Sequence, residues 1–168
     1  MQQMLEVFLR KHEVDIALLQ EVIPEANITF SRYQSHLNIG TSKRGTTILA
    51  KAELPLHRIE RIPSGRGIVA YYDNICALNI YVPSGSWSRK EREEFFQYSL
   101  MALLPHVSTE MILAGDFKCV LSNSDCTGHR PISGALETLV QGVRLYDAWD
   151  QTSKYRPTRT SLHLVLHV

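Results

Sequence analysis

The sequence predicts an α/β fold, a layered sandwich of sheets and helices, and three observations predict it. Two apolar runs of strand length, VDIALLQ and EMILAG, each stop at a carboxylate, Glu21 and Asp116. Between His36 and Val82 a series of short β-like segments is separated by Gly, Pro, Asp and Asn turn residues. Apolar residues at helical spacing recur in three further places, near both ends and in the middle of the chain. With 168 residues, 44% of them hydrophobic, the chain is long enough for a core. At roughly 150 residues per domain it reads as one domain over residues 1–168.

Taken in order, Met1, Met4, Leu5, Phe8 and Leu9 place an apolar stripe on a first helix. VDIALLQ follows as a buried strand. SHLNIG, GTTILA, LPLHRIERI, GIVAYYD and ICALNIYV then read as a run of hairpins, with the SGRG turn at Ser64–Gly67 inside one of them. Ser88 with Glu91 three residues on is a capping-box signature, and Phe96, Leu100, Met101, Leu103 and Leu104 line the helix it opens, with Pro105 closing it. EMILAGD is the next buried strand. CVLSNSDCTGHRP is a loop, and Ser133 caps a third helix carrying Leu136, Leu139, Val140 and Val143. LHLVLHV alternates and reads as a strand, on which His163 and His167 share a face without making a helical ligand pair.

Charge narrows the partners. Lys and Arg total 18 against 17 Asp and Glu, so there is no global pull toward polyanions, and nucleic-acid binding needs a local basic surface. Arg58, Arg61, Arg66, Arg156 and Arg159 are available for one, although scattered arginines usually belong to ordinary solvated surface. The run Arg89-Lys90-Glu91-Arg92-Glu93-Glu94 reads as a salt-bridged exposed helix face. Cys76, Cys119 and Cys126 fit neither a disulfide framework nor a paired-thiol zinc site, which suits a reducing compartment. No segment reaches the roughly 18 apolar residues of a membrane span, and the opening residues lack a signal-peptide core. The expectation is an intracellular protein with no membrane partner.

A buried strand that stops at Glu or Asp delivers a charged oxygen to the rim of its sheet, where a divalent cation can be shared. Taken alone, Glu21 is an ordinary strand terminus, Asp116 a turn-capping residue after Gly115, and Tyr81 a core aromatic. Their order is more specific: Leu18-Leu19-Gln20-Glu21, then Asn79-Ile80-Tyr81-Val82-Pro83, then Ala114-Gly115-Asp116-Phe117. That order resembles the endonuclease/exonuclease/phosphatase family, and within it the endonuclease domain of LINE-type, non-long-terminal-repeat retrotransposons. The likeness extends over most of residues 14–150, including RGTTILA, IPSGRGIVAYY and NIYVPSGSWSRKEREEFF. It implies a four-layer αββα sandwich, two mixed sheets flanked by helices and incomplete at both ends. It also implies a magnesium-dependent DNA endonuclease, with manganese able to replace magnesium, acting in the nucleus beside a reverse transcriptase domain of the parent element. Glu21 and Asp116 would hold the metal, Asp116 would orient the attacking water, and Tyr81 would position the scissile phosphate.

The chain departs from the family at several positions. The family's opening strand, which carries an asparagine of the metal neighbourhood, is not in this sequence. Lys118 stands where the family has an asparagine contacting the phosphate; it can hold a phosphate oxygen as a point charge, yet it competes with a cation for Asp116. Leu164 falls where a late aspartate belongs, and the terminal Asp-His pair that supplies the general base is absent, a loss of about 10²–10⁴-fold from that function. The expectation is weakened metal affinity, impaired hydrolysis and, with sheet edges unpaired, marginal solubility. The alternative is a catalytically inactive remnant or binding module that keeps the scaffold.

Overall fold

The strand signals form two sheets packed face to face. The computed structural model describes residues 2–23, 30–41, 43–73, 75–85, 88–104, 110–121, 132–147 and 166–167. The first sheet contains β1 (Ile16–Val22), β2 (Tyr33–Ile39) and β3 (Gly45–Lys51), antiparallel in the order β1-β3-β2. The second contains β4 (Arg58–Arg61), β5 (Gly67–Tyr71), β6 (Ile75–Tyr81), β7 (Glu110–Asp116), β8 (Tyr146–Asp147) and β9 (Leu166–His167), in the order β4-β5-β6-β7-β9-β8. β6 and β7 are parallel, so the sheet is mixed, and the crossover between them is helical. SGRG is the hairpin turn between β4 and β5, as its glycines predict.

Side-chain alternation assigns each face. Ile48 and Ala50 of β3 meet Ile68, Ala70 and Ala77 of β5 and β6 between the sheets. The opposite face of the first sheet, through Ala17, Leu19, Tyr33 and Leu49, takes Leu5 and Leu9 of α1 (Gln2–Lys11). The opposite face of the second, through Val69, Cys76, Leu78, Ile80, Met111 and Leu113, takes α2 (Arg89–Glu94) with its π-helical continuation Phe95–Leu100, and α3 (Gly134–Gly142). The layers are therefore helix, sheet, sheet, helix, the predicted αββα arrangement in an α+β fold.

Four local readings change. Among the described residues of the expected stripe on α1 only Leu5 and Leu9 turn inward, whereas Met4 is 76% and Phe8 55% exposed, because the sheet beneath is three strands wide and covers a narrow face, and Met1 lies outside the described residues. Ser88 precedes α2 but makes no side-chain cap hydrogen bond; Ser133 does cap α3, its Oγ accepting from Leu136 N–H at 3.1 Å. The charged run is not wholly a solvated face: Lys90 and Glu94 pair at 3.6 Å, but Arg92 is 3% exposed and donates to the Pro83 carbonyl. The π-helical turn buries Phe95 as well as Phe96 and Leu100 and leaves Met101 at the surface. Pro105, Cys126, Arg156, Arg159, His163 and Leu164 lie outside the described residues.

Polar ties lock the sheets in register. Asn38 on β2 donates to the Ile62 and Gly67 carbonyls at 2.9 and 2.8 Å, and Thr46 on β3 donates to Gly65 O at 3.2 Å. Close by, His36 has a buried Nε2 without a partner, and burial followed by the charge of Arg61 lowers its pKa from 6.5. The unfolded chain therefore takes up this proton first as pH falls, so His36 adds no pH-dependent cost well above pH 6.5 and destabilises progressively below it. Melting temperatures measured from pH 8 to pH 5 should fall further in the wild type than in His36→Gln. Parallel curves would rule the assignment out.

Candidate active site

Three strands deliver the predicted residues to one rim. β6 and β7 run parallel with Tyr81 opposite Asp116, which puts both on the face turned toward the first sheet. β1 ends on that face too, held by Asn79, two residues before Tyr81 and fully buried. The Asn79 amide donates to Leu19 O at 2.9 Å and Thr47 O at 2.8 Å, and its Oδ1 accepts from Gln20 Nε2 at 2.6 Å. Glu21 follows at an irregularity where Gln20 pairs with Thr46 and Val22 with Gly45, leaving Glu21 unpaired with φ 56°. A bulge of this kind re-aims one side chain out of the strand's alternation, and here it turns Glu21 toward Tyr81 and Lys118.

Backbone strain marks the other carboxylate as well. Gly115 has φ 146°, and Lys118 has φ 53°. Between them Phe117 is fully buried and stacks on Phe96 with centroids 6.4 Å apart, which fixes the chain on either side of Asp116. Left-handed residues that are not glycine cost of order 1–3 kcal/mol each and persist where their surroundings over-determine them, often at functional sites. Glu21 and Lys118 are two of the five among the described residues, and they face each other.

The electrostatics centre on Lys118. Its Nζ pairs with Asp116 Oδ2 and lies 3.8 Å from Glu21 Oε1, while its backbone N–H donates to Asp116 Oδ1 at 3.3 Å. Arg44 holds Glu21 Oε2 at 2.9 Å. Lys118 and Arg66 both flank the Tyr81 ring, at 5.3 and 5.4 Å from its centroid. Burial, then the hydrogen bond to Glu21 and its charge, raises the Tyr81 pKa against the opposing pull of Lys118 and Arg66. The phenol therefore stays protonated at neutral pH. Cys76 and Cys119 offer no nucleophile here: burial pushes the Cys76 thiol up to about 11 and Cys119 up to about 12.

Glu21, Tyr81, Asp116 and Lys118 thus meet, as their order in the chain suggested, but the fit to a divalent ion is poor. No group of three metal-ligating side chains exists among the described residues, and an ammonium already stands between the two carboxylates. Arg44 carried no signal in the sequence, and Gln20, though inside the Leu18–Glu21 motif, gave none of its tie to Asn79, since the strands that bring them to the rim pair out of chain order. A concavity of about 550 Å³ lined by Arg10, Lys11, Arg32 and Lys51 lies at the far end of β3 and has no part in this rim.

No protein-family model matches the sequence, and neither does any curated protein sequence. Solved structures do match. TDP2 from Caenorhabditis elegans, crystallised in selenomethionine form, superposes with a TM-score of 0.64 at 13% identity, covering 99% of this chain and 57% of that one. A truncated TDP2 from the same organism gives 0.61 at 13% identity, covering 99% and 75%. The chain spans little more than half the length of the first, and at this identity the likeness establishes a shared fold.

Proposed function

We propose that this chain is an endonuclease/exonuclease/phosphatase-type domain derived from a LINE-type retrotransposon endonuclease, directed at the DNA backbone and impaired in hydrolysis. The observation that carries the reading is the convergence of Glu21, Tyr81 and Asp116 at one rim from three separate strands. The shared fold with TDP2 supports it. In this arrangement Arg66 and Lys118, both beside the Tyr81 ring, supply positive charge for a phosphate, and the Tyr81 hydroxyl is a neutral donor held ready by Glu21. Asp116 is placed beside the proposed phosphate position, but its Oδ2 is already engaged by Lys118. The second reading, a binding module without turnover, is favoured by that same contact.

Purified protein incubated with supercoiled plasmid and magnesium, beside Glu21→Ala and Asp116→Ala, tests both. Slow nicking lost in the two variants is the result expected of an impaired enzyme. Equal background in all three, with plasmid still retarded at low salt and released as salt rises, leaves the binding module. Neither nicking nor retardation overturns the whole reading.

A further inference from the structure

We propose that the Lys118 ammonium is the resident counter-cation of this rim, filling the place between Glu21 and Asp116 that a divalent ion would otherwise take. The native chain then binds a divalent ion there only weakly, and changing this one residue creates a tighter site. All four carboxylate oxygens are engaged: Asp116 Oδ1 by the Lys118 N–H, Asp116 Oδ2 by its Nζ, Glu21 Oε1 by the same Nζ at 3.8 Å, and Glu21 Oε2 by Arg44 at 2.9 Å. The contact is built into the fold. Phe117 anchors the residue before Lys118 in the core, the left-handed backbone at Lys118 folds its side chain back over Asp116, and the Tyr81 ring covers the ammonium. A cation tethered two residues from its partner acts at high effective concentration, whereas magnesium must shed bound water to compete. Two facing carboxylates without that ammonium would repel each other and favour any cation that bridged them.

The inference rests on reading this rim as the phosphodiester site, yet cation occupancy is measured without turnover, so the two fail separately. The probe is manganese, titrated into the full chain and followed by loss of the free-ion electron paramagnetic resonance signal. Asparagine suits the left-handed backbone at this position and adds a neutral oxygen, so Lys118→Asn should bind at least about tenfold more tightly than the wild type. Lys118→Met, which keeps the length and removes the charge, should also gain affinity. Lys118→Arg should stay at the wild-type level, and Lys118→Asn/Glu21→Gln should fall back to it. Circular dichroism establishes that each variant is folded, and Lys118→Met carries the test if Lys118→Asn is not. Wild-type affinity equal to that of the uncharged variants, or no gain in a folded Lys118→Met, overturns the proposal.

Discussion

Replacing Asn79 by leucine should destabilise the protein by about 2–6 kcal/mol, at one to three kcal/mol for each of the two carbonyls that lose its donor. Leucine is similar in volume, so the effect would be polar and not a matter of space. The Asn79 amide spends both N–H groups and its oxygen on the first sheet, on Leu19 O, Thr47 O and Gln20 Nε2, with no water access because the residue is fully buried. Asn79→Asp should be worse still, since a carboxylate would face the Leu19 and Thr47 carbonyl oxygens in place of an N–H donor. Urea unfolding monitored by circular dichroism checks both, and a loss below about 1 kcal/mol for Asn79→Leu would show that the sheets do not depend on this tie. Because Gln20 precedes Glu21, the same substitution should loosen the end of β1 and free Glu21 from Tyr81 and Lys118.

Gly115→Ala should cost about 3 kcal/mol or more, combining left-handed backbone strain with a clash that cannot be relieved by side-chain motion. A methyl group there would stand 2.0 Å from Ile80 O, with Ile80 N at 2.8 Å and Ile80 C at 2.9 Å. All three are backbone atoms of the neighbouring parallel strand, whose Ile80 is Gly115's register partner. β6 and β7 would have to separate at the point where they present Tyr81 and Asp116. A drop in melting temperature of more than about 6 °C is expected, given roughly 2–4 °C per kcal/mol in a domain of this size. A melting temperature within about 2 °C of the wild type would mean that the strands can part freely.

Strand and helix identities were legible in this chain because periodicity is a local property. VDIALLQ, ICALNIYV and EMILAGD carry runs of branched apolar residues bounded by turn formers, and the Leu136, Leu139, Val140 spacing with Ser133 before it marked α3 and its cap. Glu21, Tyr81 and Asp116 were legible as a set because the order of their motifs, LLQE, NIYVP and AGDF, resembles that of a known family; the strands then bring them to one rim. Arg92 escaped for the opposite reason: nothing within RKEREE indicates that one turn of the helix faces the second sheet and buries a guanidinium.

Periodicity and turn spacing were enough for the α/β layering, and the acidic pair was picked out by the resemblance of its motifs to a known family, since both depend on which residues follow one another. Whether those acids stand open to a metal or closed on an internal ammonium depends on the left-handed backbone at Glu21 and Lys118, on Arg44 arriving from the β2–β3 turn, and on Asn79 clamping two sheets together. Such contacts join residues 23 to 97 positions apart, and an interaction at that separation has no periodic trace in the chain; it exists once the strands have taken their register.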